Sequence, residues 1–166
     1  MAFSAVKVIT ERLFPDKEGY SKFCIVAMAN YVETSHVLVI QSDGWILNPG
    51  AWNDQWLQYD YIGAPWPYAT QDVGNGGFSL RSKKLLDTLK RVHHLFPRYH
   101  PEDVVICRDQ RAWLERNYAV RFAPRSVAER FSIEAYGAKN LRYNGQFGYH
   151  GAGIDFSHLP EAERPY

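Results

Sequence analysis

Residues 37–47 read VLVIQSDGWIL, and the reading of this stretch decides the fold. Val37-Leu38-Val39-Ile40 is a run of four branched apolar residues with no polar residue alternating through it. Such a run predicts a strand buried on both faces, the kind found in a parallel sheet covered by helices. The run stops abruptly at Gln41-Ser42-Asp43-Gly44. A carboxylate, Asp43, therefore stands at the carboxyl end of a buried strand, where open α/β sheets place their ligands.

Upstream, residues 3–10 alternate weakly and predict a first strand, and residues 15–19 a turn. Phe23, Cys24, Val26, Ala27 and Tyr31 recur at helical spacing, so residues 20–32 are read as a helix packed on the sheet. Parallel strands need such a crossover helix, which makes residues 3–41 one β-α-β unit. Downstream come a turn at Asn48-Pro49-Gly50, a short helix or irregular segment at 52–57, and a short strand at 60–63. The loop 64–68, APWPY, is barred from helix by its prolines and either walls a pocket or turns at the surface.

Residues 73–82 read VGNGGFSLRS. Three glycines in four residues permit a close approach of backbone to a ligand or a tight hairpin turn, and the spacing does not choose between them. Residues 78–81 alternate like a strand. Ser82 can cap a helix over residues 83–95, whose face is Leu85, Leu86, Leu89, Val92 and Leu95. A further helix runs from about 102 to 118. Its opening Glu102-Asp103 pair is favoured there by the helix dipole, with or without a chemical role. A short strand is predicted at 120–123. His150 stands among glycines in FGYHG, residues 147–151, as a metal or phosphate contact or simply a solvent histidine.

Composition bounds the function. The chain has 166 residues and 46% hydrophobic residues, enough for one domain with a real core. A formal charge of +1 leaves no basic field for nucleic acid. Five Trp and eleven Tyr suit a carbohydrate or nucleotide pocket, although large rings filling a small core explain most of them. Cys24 and Cys107 read as buried free thiols of a reducing compartment. With no signal peptide and no apolar run long enough to cross a bilayer, a soluble cytoplasmic protein is expected. No Gly-x-Ser-x-Gly elbow argues for a hydrolase. No close set of Cys and His argues for a zinc site, since His93 and His94 face different directions on a helix.

Taken in order, the pieces resemble the hallmarks of GT-A glycosyltransferases, which transfer a sugar from a nucleotide donor. Gln41-Ser42-Asp43 resembles their Asp-x-Asp, residues 74–77 their glycine-rich loop, Pro101-Glu102-Asp103 their x-Glu-Asp motif, and His150 their late histidine. More closely, YDYIGAPW, VGNGGFSLRSK, RFSIE and FGYHG are similar to a family of bacterial and eukaryotic glycosyltransferase-like domains, over roughly residues 20–152. In this chain Gln41 replaces the first Asp of Asp-x-Asp, and only about one strand and one helix precede Asp43.

The resemblance implies a single α/β, GT-A-like (Rossmann-like) domain over residues 1–152. Its mixed central sheet is flanked by helices, its N-terminal nucleotide-binding half is shortened, and residues 153–166 form a polar tail. It implies transfer of a sugar from a nucleotide-sugar donor to a carbohydrate or other hydroxyl acceptor, with inversion. Asp43 and His150 would hold a divalent cation, Mn2+ in preference to Mg2+. Gln41, Ser42, Gly76, Gly77 and Arg81 would line the donor site, Arg81 pairing with a phosphate or standing as an exposed strand charge. Asp103, or Glu102, would be the general base. Trp45 and Trp66 would stack on a sugar or base, or fill the core. Two other expectations follow from Gln41 and the short N-terminal half: a sugar- or nucleotide-binding remnant without catalysis, or a subunit of an oligomer that needs a partner chain to complete the donor site.

Overall fold

The structure is a computed structural model that describes residues 9, 16–66, 73–134, 143–151 and 157. The strand expected at 3–10 and the tail expected at 153–166 lie outside the described residues apart from positions 9 and 157, as does the end of the 64–68 loop. The chain folds as a mixed α/β structure with two three-stranded sheets and several helices.

Asp16 caps α1 (Lys17–Lys22), its carboxylate accepting the Gly19 N–H at 2.8 Å. The helix continues as a π-helical segment, Phe23–Ala27, and a 3₁₀ turn, Met28–Asn30. Then come β1 (His36–Ile40), β2 (Gly44–Ile46), 3₁₀ turns at Pro49–Ala51 and Asp54–Gln58, β3 (Tyr61–Gly63) and β4 (Phe78–Ser82). Ser82 caps α2 (Lys83–Val92) through the Leu85 N–H at 3.0 Å. The single helix expected over 102–118 is three pieces: α3 (Glu102–Val104), a π-helical segment Val105–Asp109, and α4 (Arg111–Tyr118). α5 (Arg125–Phe131), β5 (Ser132–Glu134) and β6 (Gly148–His150) complete it. The short strand expected at 120–123 is a single bridge, Tyr61 to Phe122.

The first sheet has the order β1-β4-β3, antiparallel throughout. This corrects the reading of residues 37–40. Among the described residues β1 pairs with β4 alone, so it is an edge strand and its apolar side chains are half-buried, Ile40 being 44% exposed. Leu38 packs on the main core while Val37 and Val39 pack on a smaller cluster with Cys24, Met28 and Leu86. The central strand β4 is buried along its whole length, as are β3 and β5, although its sequence FSLRS carries an arginine and two serines. The polarity of the run does not decide which strand is covered: β1 and β3 both flank β4, and β3 is buried while β1 is half-buried. In the second sheet β6 is central, antiparallel to β2 and parallel to β5. Gln41-Ser42-Asp43 is the tight link between β1 in one sheet and β2 in the other.

Two features tie the sheets to the helices. Asp60 is buried and accepts from Ser82 Oγ at 2.6 Å, the Arg121 N–H at 2.8 Å and Lys84 Nζ at 3.0 Å, which pins β3, the start of α2 and the 120–123 segment together. Trp56, Phe78, Phe131 and Phe147 pack with ring centroids 5.1–5.9 Å apart, so much of the aromatic content fills the core. A Cβ at Gly148 would lie 2.1 Å from the Phe78 ring. Gly148→Ala is therefore expected to cost about 1–3 kcal/mol by overpacking. Thermal denaturation should show it as a fall of roughly 2–4 °C per kcal/mol.

Candidate functional site

The site begins with the arginine in the middle of β4. Arg81 is wholly buried, and a guanidinium there requires acceptors for its N–H groups. Nε donates to Ser79 Oγ at 3.0 Å, and Nη2 donates to the Gly76 carbonyl at 3.2 Å and to Glu102 Oε1 at 3.0 Å. Its charge also lies over the Tyr61 ring, 5.3 Å from the centroid. Tyr61 in turn donates its hydroxyl to the Gly74 and Asn75 carbonyls at 2.9 and 3.0 Å. Asn75 Oδ1 accepts the Gly77 and Phe78 N–H groups at 3.0 and 3.3 Å. Three consecutive carbonyls of the glycine loop thus point at buried donors.

The glycines are needed for close approach, and what approaches is the protein itself. A Cβ on Gly76 would sit 2.6 Å from Glu102 Oε1, and one on Gly77 would sit 2.1 Å from the His150 ring. Gly76 also donates its N–H to Asp103 Oδ2 at 3.1 Å. Two adjacent glycines, whose Cα atoms are about 3.8 Å apart, therefore carry the acidic pair on one flank and the histidine on the other.

On the first flank the two acids divide their roles. Glu102 is buried and spent on Arg81. Asp103 lines the cleft, and burial, reinforced by the neighbouring Glu102 charge, raises its pKa to about 6 against the N–H groups of Val104 and Gly76 and the charge of Arg81. A carboxyl poised there can accept a proton near neutrality.

On the second flank, His150 Nδ1 is 2.9 Å from Glu134 Oε2, while Nε2 is 3.0 Å from Gln41 Oε1 and 3.1 Å from Asp43 Oδ1. Nδ1 donates to Glu134, with Asn75 Nδ2 a further 3.4 Å neighbour. Nε2 donates to Gln41 and Asp43 when the ring is charged and turns a lone pair to them when it is neutral. Burial pulls its pKa down, but Glu134 and Asp43 outweigh that and the net shift is upward. The Gln41 N–H donates to the Gly77 carbonyl at 2.8 Å, which holds Gln41 beside the loop.

These residues surround one cleft of about 420 Å³, within the range of ligand sites. Gln41, Gly76, Gly77, Glu102, Asp103 and His150, all singled out in the sequence, line it. Asp43 reaches its rim through His150 and is 54% exposed. Ser42 is an exposed turn residue outside the lining. Arg81 is corrected: it is neither an exposed charge nor a lining residue, because it is consumed beneath the loop. Trp66 both packs over Gly74 and walls the cleft, whereas Trp45 is exposed on the face of β2 opposite to the one carrying the histidine. Sequence reasoning missed Glu134, Asn75, Tyr20, Ser21 and His100. Glu134 ends the RFSIE phrase and Asn75 sits in the glycine loop, so for these two the signal was in view.

Among the described residues no group of three or more His, Cys, Asp or Glu is placed to hold a metal ion. The set present is Asp43 and His150 with the Gln41 amide oxygen. His150 Nε2 stands 3.0 Å from Gln41 Oε1 and 3.1 Å from Asp43 Oδ1, each close to the spacing of adjacent ligands on an octahedral ion with bonds of about 2.1 Å. Glu134 would then fix the imidazole from its far nitrogen. This fits an ion that draws its other ligands from substrate and water rather than a closed protein site.

The chain belongs to the family described as "Protein of unknown function (DUF5672)", whose model matches residues 3–150 and so spans every residue of this cleft. No curated protein and no solved structure matches it.

Removing Arg81 alone strands a buried Glu102. Arg81→Met should cost about 3–5 kcal/mol, and the pair Arg81→Met/Glu102→Leu should recover most of it in urea denaturation. A raised carboxyl favours the fold while protonated. Stability should therefore fall as pH rises from the ordinary Asp value of 3.8 through about 6. Denaturation at a series of pH values should show this step in the native chain and lose it in Asp103→Asn.

Proposed function

We propose that this chain is a GT-A-type glycosyltransferase domain that moves a sugar from a nucleotide-sugar donor to an acceptor hydroxyl with the help of a divalent cation, Mn2+ in preference to Mg2+. One observation carries the reading: a carboxyl with a pKa of about 6 and an oxygen-and-imidazole donor set occupy opposite flanks of the Gly76-Gly77 dipeptide in a single cleft. That is the division of labour an inverting transfer needs, with a base on one side of the sugar and a leaving-group site on the other.

Asp103 takes the proton of the acceptor hydroxyl. The freed oxygen forms the new bond to the anomeric carbon, and the old bond to the diphosphate oxygen breaks with its electron pair leaving on the phosphate. Asp43, His150 and the Gln41 carbonyl are the residues that would hold the cation, which when bound supplies charge neutralisation for the departing diphosphate. Glu134 keeps the His150 ring oriented. Glu102 and Arg81 hold the loop so that Gly76 can grip Asp103. The two free buried cysteines support a reducing, cytoplasmic setting, and no helix of the described residues is long and apolar enough to cross a membrane.

The test is turnover of a nucleotide-sugar panel with Mn2+, scored as transfer and as donor hydrolysis. Asp103→Asn should lower kcat by about 10²–10⁴ while the fold is retained, and kcat/KM in the native chain should fall as pH drops through about 6. Loss of one carboxylate at Gln41 favours a second reading, a binding domain without catalysis. Donor binding with no turnover across the panel would select it, and Gln41→Asp should then tighten Mn2+ binding without creating activity.

A further inference from the structure

Asn75 is the centre of VGNGG, residues 73–77, and the fold uses only part of its carboxamide. A carboxamide offers one acceptor oxygen and two N–H donors. Oδ1 accepts the Gly77 and Phe78 N–H groups at 3.0 and 3.3 Å, so the amide is not free to turn over. Its oxygen is fixed on the loop and its nitrogen is sent toward His150, in the cleft that both residues line. Among the described residues the one polar atom in reach of Nδ2 is His150 Nδ1, at 3.4 Å. That nitrogen spends its own hydrogen on Glu134 Oε2 at 2.9 Å, and a nitrogen that donates does not accept. Asn75 is 4% exposed. A buried amide nitrogen with no acceptor is costly, and native structures complete such groups.

Glu134 shows the complementary state. It is 7% exposed, lines the same cleft and gives Oε2 to His150, while its Oε1 has no donor among the described residues. Asn75 Nδ2 and Glu134 Oε2 both lie within 3.4 Å of a single atom, His150 Nδ1, so the two side chains are neighbours. The sheet holds the acid in place, since Glu134 and His150 are register partners in β5 and β6. A donor thus stands beside an acceptor at the buried edge of the imidazole, away from the Nε2 edge that faces Gln41 and Asp43.

A hydroxyl accepts and donates through one oxygen. The geometry points to a hydroxyl-recognition subsite, in which a sugar hydroxyl takes an Asn75 Nδ2 hydrogen and gives its own to Glu134 Oε1. A phosphate oxygen would satisfy Asn75 but set its charge against the carboxylate, so the pair selects a neutral hydroxyl over an anion. The subsite lies on the Gly77 flank of the loop, opposite Asp103. In the transfer scheme the hydroxyl therefore belongs to the sugar being moved. That assignment rests on the transfer reading; the subsite does not.

The experiment is NMR of the Asn75 side-chain amide in the full chain. The probes are glucose, galactose and mannose carried on uridine or guanosine diphosphate, with Mg2+ in place of paramagnetic Mn2+, and the two diphosphates alone. At least one sugar-bearing probe should shift the amide, and the bare diphosphates should leave it in place. Calorimetry with single-deoxy analogues of that probe follows. The analogue lacking the contacted hydroxyl should bind the native chain about tenfold or more weakly. Asn75→Asp keeps an oxygen for the two loop N–H groups and removes the donor. It should weaken the sugar-bearing probe by a similar factor relative to its bare diphosphate, and should no longer distinguish the deoxy analogue. The native-chain measurements decide the matter even if that variant fails to fold. An amide unmoved by every sugar-bearing probe would mean that water alone completes the pair, and would overturn the subsite. An equal shift with the bare diphosphates would assign the amide to phosphate and overturn it too. A sugar-dependent shift with no transfer to any acceptor would leave the subsite standing and remove the transferase reading. Transfer that every single-deoxy donor supports equally, with the amide unmoved, would do the reverse.

Discussion

A fully buried guanidinium organises this molecule. Arg81 sits in the central strand of the first sheet, where water cannot reach it, and the surrounding chain supplies acceptors to its Nε and Nη2 while Nη1 has no hydrogen-bond partner. The Gly76 carbonyl turns inward for it, Ser79 supplies a hydroxyl, and Glu102 supplies the opposing charge. A buried ion pair of this kind adds little net stability over an apolar pair of the same shape, but it is costly to break from one side. What it contributes is position. It joins β4, the glycine loop and the start of α3 at one point, and the cleft opens next to that point.

The consequence reaches the chemistry through adjacency. Glu102 is consumed by Arg81, so Asp103 is left as the titratable acid, pushed up by burial and by the charge next to it. The loop that Arg81 fastens from below also fixes the distance between that acid and His150, because consecutive glycines contact each. The histidine is held in turn by Glu134 on one side and by Gln41 and Asp43 on the other. The Arg81–Glu102 pair thus sets the spacing of the groups on either side of the loop.

A neutral amide at position 41 has a physical reading in the same frame. Glu134 already places one negative charge against the imidazole and Asp43 a second. A third carboxylate at position 41, beside Nε2 and the loop backbone, would add like-charge repulsion in a partly buried place. The neutral amide keeps an oxygen there at 3.0 Å without that penalty. Glu102 and Glu134 are matched inside the cleft, and Asp103 is left without an opposing cation of its own.

Much of this was legible in the residues. The capping serine at 82, the apolar face of α2, and strands expected at 60–63 and 78–81 and found at 61–63 and 78–82 follow from local preference, and Gln41, the glycines, the acidic pair and His150 stood out as residues of one site. What the sequence could not rank was burial. VLVI is the most apolar strand and is only half-buried; FSLRS is more polar and is wholly buried, because burial depends on what packs around a strand, and that is a long-range property. For the same reason Arg81 looked like a surface charge, Glu102 and Asp103 looked interchangeable, and Glu134 looked like nothing in particular. Only the tertiary packing set one acid against an arginine, one beneath the glycine loop at the cleft wall and one against a histidine, and those three environments set three equivalent carboxylates apart.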